Sequence, residues 1–583
     1  MSENHNRRAR RALPVLALAA VAFAVGAIVG AGHRTSPAAS LATQFVTAWS
    51  HGDYREMYAD IDAASQQRIT PSRFAASFEA ALRTATASHL RVAGRVRRIG
   101  GLEAVPVRVS TRLFGTLALD YELEVEESGG APRVRWSRSL EFPGLRAGEQ
   151  LSRHTTIPRR ATLLARDGSV LAESGSEAPS AETTRSSPLG EDARAVLGTV
   201  GPVPTSRSAS LEREGVPAGA TVGLTGLERA LDDRLRGRVG GALLAGRRLL
   251  AYAPARAAAA VHTTVSPAVQ RAAVAALGGR LGGVVALTPS GEVLAVAGIG
   301  LEGLQPPGST FKMITLTGVL QAHIASPHTV FPYASYATLD GVRLNNANGE
   351  NCGGSLELAF AVSCNSVFAP LGVKLGAPAL VATAEHFGFN HEPGLTGAAE
   401  STLPAASSIQ GELDVGSTAI GQGQVLASPL QMATVAATIA DAGSRPQPSF
   451  LPLRAARTGV DVTSASVAHT VRRLMIGVVR GGTGTAAAIP GVTVAGKTGT
   501  AELKTPCRPP ESSSSEGGEA SHKEACHEAE GEASNTDAWF AAFAPALHPR
   551  IVVCVMLVKD GAGGETAAPA ARGVIEAGLQ ALR

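Results

Sequence analysis

Twenty-one consecutive uncharged residues, Ala12 to Gly32, constrain this chain more than any other feature. Such a run is long enough to cross a hydrocarbon core of about 30 Å, which takes roughly 20 apolar residues in a helix. It follows RRARR, Arg7 to Arg11, and basic residues keep their flank on the cytoplasmic side. The expectation is a cytoplasmic tail over 1–11, a transmembrane anchor over 12–32, and the rest of the chain outside. A cleavable signal peptide is the alternative, although its apolar core is normally shorter. Either way the chain is exported. What remains of the 583 residues is too long for one hydrophobic core, so three or four domains are expected.

Export makes disulfides permissible. All five cysteines lie late in the chain: Cys352, Cys364, Cys507, Cys526 and Cys554. Cys507 and Cys526 bracket a polar loop and form one candidate pair, with Cys352 and Cys364 a second. Cys554 sits in the apolar run IVVCVMLV and is expected to be a buried free thiol. No cysteine has metal-site spacing with histidine, so neither a metal nor another cofactor is expected. The net charge is only +4, and no basic stretch is interleaved with aromatics, which argues against a nucleic-acid partner.

Three extracytoplasmic segments follow. In 41–145, Leu41, Phe45 and Trp49 mark one face of a helix. Leu117, Leu119, Tyr121, Leu123 and Val125 then alternate with mostly polar residues, as in a half-buried strand, and VRWSR repeats the pattern around Val134 and Trp136. Helices first and a curved antiparallel sheet afterwards resemble the small cone-shaped nuclear-transport-factor-like α+β domain. That module precedes the transpeptidase in low-affinity, methicillin-resistance type penicillin-binding proteins. In 146–265, PRRATLLARDGSVLA signals strand–turn–strand at Arg166-Asp167-Gly168, and GLTGLERALDDRLRG a turn and a short helix. Both resemble the elongated pedestal, or dimerisation, domain of class B penicillin-binding proteins, with Ala161 where the family usually has glycine. From 266 to 583 the chain is α/β, interrupted by a polar acidic insert from Glu511 to Ser534.

Lysine is scarce. Of 53 basic residues six are lysines: Lys312, Lys374, Lys497, Lys504, Lys523 and Lys559. Arginine cannot give up its proton in a protein, so a lysine retained in such a chain marks a place where that ability could matter. Two of the six fall in short motifs. PPGSTFK places Ser309 and Lys312 in an S-x-x-K arrangement at a helix start, where i and i+3 share a face. A neutral lysine there can take the serine proton, and the helix N-terminus offers amides to a developing oxyanion. SCN supplies Ser363 and Asn365 after a Gly-Gly turn and a helix. KTGT, Lys497 to Thr500, follows the alternating Val492 and Val494, so a strand is expected to carry Lys497, Thr498, Gly499 and Thr500 into a cleft. A lysine and two hydroxyls suit a carboxylate, and Gly499 is expected to let substrate backbone approach.

Each motif alone is weak. Their order and spacing, with GQGQVLASPLQMATVAATIADAG, TDAWFAAFAP (Ala542 in place of a glycine) and GGETAAPAARGVI, resemble the penicillin-recognising serine enzymes of the class B penicillin-binding type. That resemblance implies an antiparallel sheet flanked by helices with an all-helical subdomain. It implies a D,D-transpeptidase acting on peptidoglycan stem peptides and inhibited by β-lactams, with Ser309 as nucleophile, Lys312 as base and Ser363 as proton relay. Asn365 would bind a substrate amide, and Lys497, Thr498, Gly499 and Thr500 the terminal carboxylate. A separate glycosyltransferase partner is implied as well. A D,D-carboxypeptidase or a β-lactamase would use the same fold, but no E-x-x-L-N string lies between Ser366 and Gly496 to activate water as in class A β-lactamases. A non-catalytic scaffold of a cell-wall complex would have no reason to keep the full Ser/Lys/Ser/Asn/Lys set.

Overall fold

A computed structural model describes residues 36–128, 130–173, 184–453, 459–503 and 535–583. The expected anchor, the acidic insert, Cys507 and Cys526 lie outside these. Among the described residues no single helix is long and apolar enough to cross a membrane. The chain forms two compact units and changes from one to the other after Pro158, Pro202, Ala220, Gly237 and Arg256.

The first unit opens with α1 (Pro37–His51). Ser36 caps it by accepting from the Ala39 amide, Pro37 occupies its first turn, and Gly52 ends it in the left-handed region. Its face of Leu41, Phe45 and Trp49 and that of α2 (Pro71–Thr84) pack on an antiparallel sheet. The sheet is built on β1 (Ala87–Val92), β2 (Leu102–Thr111) and β3 (Gly115–Leu123), with Arg97–Ile99 also paired to β2. Trp49 lies across Phe78 and Tyr121, both rings 5.2 Å away, and the buried Tyr121 hydroxyl donates to the Leu140 carbonyl at 2.6 Å. The strand expected around Val134 and Trp136 is shorter than its pattern: it stops at Val134. Beyond it the Trp136 amide donates to Ser65 Oγ at 3.0 Å rather than to a strand partner, and its ring lies 6.1 Å from Phe74.

A second sheet in this unit is assembled from distant segments. β4 (Leu151–Thr156) and β6 (Arg248–Ala253) flank β5 (Gly240–Ala245). Leu243 of β5 is buried in the same cluster as Trp49 and Tyr121.

The second unit is organised by a five-stranded antiparallel sheet with helices on both faces. In order its strands are β8 (Val293–Gly298), β7 (Gly282–Leu287), β14 (Ile551–Leu557), β13 (Thr536–Ala544) and β12 (Ala495–Glu502). Because both faces are covered, β13 and β14 are buried at every position, which is why their sequences run apolar without alternation. Helices Pro267–Leu277 and Ala567–Ala581 cover one face, and Pro429–Ala440 and Ala465–Gly481 belong to the other cluster. Strand β12 starts at Ala495 rather than at the alternating valines: Val492 bridges back to Ile489 in a turn. Cys554, in β14, is a buried free thiol whose pKa is pushed far up by burial.

The segment 223–237 is not one helix but two short ones, Gly226–Ala230 and Asp232–Leu235, split at Leu231. Each contributes a carboxylate to a buried ionic cluster. Arg160 donates to Glu228 at 2.5 Å and to Asp232 at 2.7 Å; Arg185 donates to the other Glu228 oxygen at 2.9 Å. Arg236 also contacts Asp232.

Candidate active site

Ser309 stands in a single 3₁₀ turn, Gly308–Phe311, that runs into α3 (Lys312–Gln321). In a 3₁₀ turn residues i and i+3 are eclipsed, so the Lys312 chain rises beside Ser309. Its amine sits 3.0 Å from Ser309 Oγ and is fully buried. Two glycines away from the motif let this turn seat so deeply. A side chain at Gly421, whose φ is +75°, would place its Cβ 2.1 Å from the Gly308 carbonyl. At Gly499 the expected reason is corrected. The atoms that face its missing Cβ include the Pro307 oxygen at 2.7 Å and Thr310 Cγ2 at 3.0 Å, so the glycine admits the protein's own serine turn.

The second motif meets the first directly. After the hairpin of β9 (Tyr336–Leu339) and β10 (Val342–Asn345), β11 (Cys352–Ser355) leads into Leu356–Ala361, and a turn at Ser363 then opens α4 (Asn365–Leu375). Ser363 has φ +62°, a conformation uncommon for a residue with a side chain. It is held there by the Cys364 amide donating to the Ala359 carbonyl, at 2.8 Å, and by a disulfide from Cys364 to Cys352. The consequence is that the Ser363 carbonyl and the Asn365 Oδ1 both lie 2.6 Å from Lys312 Nζ. Asn365 is oriented from its other end, where Nδ2 donates to the Asn345 carbonyl at 2.9 Å.

These contacts bear on the proton count together with burial. An ammonium has three N–H groups and no lone pair; a neutral amine has two N–H groups and one lone pair. Two obligate acceptors, the Ser363 carbonyl and Asn365 Oδ1, use two N–H groups of Lys312. In the neutral form the lone pair remains for the Ser309 hydroxyl. Burial, and then the nearby Lys497, hold the Lys312 amine well below its ordinary range, which favours that form.

Lys497 lies on the other side of Ser363. Its amine donates to Ser363 Oγ at 2.8 Å and to the Thr498 carbonyl at 3.0 Å, over the Phe360 ring. Burial lowers its pKa to about 7. Ser363 Oγ thus bridges two buried amines, 3.3 Å from Lys312 and 2.8 Å from Lys497. Thr498 Oγ1 is 2.5 Å from Thr483 Oγ1, and Thr500 Oγ1 accepts from the Gly563 amide at 3.3 Å. Thr483 is the site residue that the motifs did not announce. Its signal is present in RGGTGT, where glycines flank a hydroxyl just after a long amphipathic helix. Among the described residues no group of histidine, cysteine or carboxylate side chains is placed to hold a metal.

A serine hydroxyl against a desolvated amine, a second hydroxyl bridging to a second amine, and an antiparallel sheet between helices define a serine acyl-transfer enzyme. Residues 282–576 match the penicillin-binding protein transpeptidase domain, 176–245 the penicillin-binding protein dimerisation domain, and 37–149 the NTF2-like N-terminal transpeptidase domain. The chain belongs to the penicillin-binding protein transpeptidase family. It is 33% identical over 428 residues, 61% of this chain and 80% of the relative, to the peptidoglycan D,D-transpeptidase PbpA of Mycobacterium tuberculosis. The peptidoglycan D,D-transpeptidase MrdA of Acinetobacter baumannii is 26% identical over 459 residues, covering 68% of this chain and 66% of the relative. Among solved structures, the penicillin G acyl-enzyme complex of penicillin-binding protein A from M. tuberculosis superposes with a TM-score of 0.55 at 28% identity. That match covers 72% of this chain and 100% of the other. The D,D-transpeptidase domain of a peptidoglycan glycosyltransferase from Eggerthella lenta gives a TM-score of 0.56 at 29% identity, covering 72% and 98%.

Proposed function

We propose that this chain is a D,D-transpeptidase that crosslinks peptidoglycan stem peptides through an acyl-enzyme on Ser309. The observation that carries the reading is the buried Lys312 amine, 3.0 Å from Ser309 Oγ, with its N–H groups occupied by Ser363 and Asn365. Ser309 Oγ attacks the carbonyl between two terminal D-alanines while its proton passes to Lys312. The C–N bond then breaks, and the leaving D-alanine amine takes a proton through Ser363. The amides of Ser309 and Thr500 hold the oxyanion, and Lys497, Thr498 and Thr500 hold the terminal carboxylate. An amine of a neighbouring strand attacks the ester, forms the new amide and frees Ser309. A β-lactam enters by the first half of this sequence and stalls. The apolar run over 12–32 anchors the enzyme in the membrane with its catalytic unit outside, the 146–265 segment serves as its pedestal, and a separate glycosyltransferase supplies the glycan strands.

Incubation of the purified chain with benzylpenicillin, followed by intact mass, tests this. The wild type should gain one drug mass and hold it, and a Ser309→Ala variant should gain none. Rapid drug loss without a lasting adduct would turn the reading to a β-lactamase. Absence of both, even at high drug concentration, would turn it to a resistant transpeptidase or a scaffold.

A pH profile follows from the second amine. The second-order acylation constant reports groups of the free enzyme. Capture of the drug's carboxylate needs Lys497 protonated, and its pKa is about 7. Acylation by benzylpenicillin should therefore fall as pH rises above about 7, and that alkaline limb should vanish in Lys497→Gln. A wild-type profile flat to pH 9 would remove the carboxylate role from Lys497.

A further inference from the structure

One face of the β9–β10 hairpin is occupied and the other is open. Its strands pair Tyr336 with Asn345, Ala337 with Leu344 and Thr338 with Arg343. Alternation sends Ala337, Leu339 and Leu344 to the core side and Tyr336, Thr338, Arg343 and Asn345 to the outer side. On that outer face the Arg343 guanidinium carbon lies over the Tyr336 ring, 4.5 Å from its centroid. A cation–ring contact of this kind positions the guanidinium, and a guanidinium can take a carboxylate by two parallel hydrogen bonds. Among the described residues no carboxylate of the protein is ion-paired with Arg343. The hairpin is also tied to the catalytic residues, because the Asn345 carbonyl holds the Asn365 amide at 2.9 Å. Arg343 is two residues from Asn345 on the same face, about 7 Å along the strand.

We propose that Arg343, held by Tyr336, recognises a carboxylate on the donor stem peptide, one or two residues before its D-alanyl-D-alanine end. The inference rests on the transpeptidase reading and specifies its substrate. An extended peptide advances about 3.3 Å per residue, so the roughly 7 Å from Asn345 to Arg343 corresponds to about two residues of a donor whose backbone passes Asn365. A β-lactam lacks the upstream residues and does not test this contact.

The experiment uses the full chain in detergent and two synthetic peptides ending in D-alanyl-D-alanine. The preceding residue carries a side-chain carboxylate in one and the carboxamide in the other. Release of D-alanine is followed at low peptide concentration, to read kcat/KM. Wild type should favour the acid about tenfold, the equivalent of one charge-assisted hydrogen-bond pair. Arg343→Gln should bring the ratio to about one, Arg343→Lys should restore part of it, and Tyr336→Leu should lower it. A wild type indifferent to the carboxylate, or an Arg343→Gln loss equal for both peptides, overturns the inference. If the same wild type still takes one benzylpenicillin, the transpeptidase reading survives that result; with neither an adduct nor D-alanine release both fall.

Discussion

Replacing Lys312 with methionine should slow acylation by benzylpenicillin about 10³- to 10⁴-fold, and Lys312→Arg should not rescue it. Loss of a positioned general base removes roughly 10²–10⁴ in rate. The upper part of that range is expected here because the same amine also ties Ser363 and Asn365 to the nucleophile. Arginine would keep a cation in the pocket and could donate to both acceptors, but it cannot become neutral and take the Ser309 proton. Stopped-flow acylation with a fluorescent penicillin measures both variants. An arginine variant within tenfold of wild type would mean that Lys312 acts as a cation, not as a base. A melting comparison separates chemistry from folding. With its folded pKa held below the ordinary lysine value, Lys312 binds fewer protons in the native chain than in the unfolded one across the interval between the two values. Wild-type stability should therefore rise with pH through that interval relative to Lys312→Met, which has no such proton to lose.

The second large effect concerns stability. Glu228→Ala should destabilise the second unit by about 3–5 kcal/mol, the typical result of removing one partner from a buried ion pair. Glu228 is completely buried and receives Arg160 on one oxygen and Arg185 on the other, and the arginine side chains are 7% and 5% exposed. With the carboxylate gone, Arg160 keeps Asp232 and the Glu228 carbonyl, while Arg185 keeps the carbonyls of Ala161, Ala172 and Glu173. Two guanidinium charges would then share one nearby carboxylate, and Asp232 already serves Arg236. Burial opposes the charge on Arg185 in particular, lowering its pKa. The urea concentration at which penicillin binding is lost reads the change. Glu228→Gln, which retains an acceptor oxygen, should fall between wild type and alanine. A loss below about 1 kcal/mol would show that water reaches both arginines in the variant.

Lysine scarcity and three short motifs pointed to Ser309, Lys312, Ser363, Asn365 and Lys497 only through their joint resemblance to a family, each motif being a local pattern. What local patterns omit is partner identity. KTGT makes a glycine visible at 499, but not that Pro307 and Thr310 lie against it. Asn345 has no motif of its own; its backbone oxygen matters because a hairpin brings it to Asn365. The 146–265 segment was legible as strands and turns, yet its division between two units was not. Two-residue strands such as Leu163–Leu164 are too short for any period to register, and β4 finds β5 only after several intervening strands and helices, part of them in the other unit.

That division has a consequence for how such a chain could be rearranged by recombination. A single crossover at the edge of the transpeptidase match, near residue 282, would leave behind Leu163, Leu171 and Leu227, which are buried in one cluster with Val285 and Leu287. A crossover near residue 149, where the NTF2-like match ends, would separate Leu243 from the ring cluster that encloses it. Neither breakpoint yields two self-sufficient inheritable pieces. Exchange of either end between relatives would have to carry compensating changes in the interleaved middle, so these segments are expected to be inherited together.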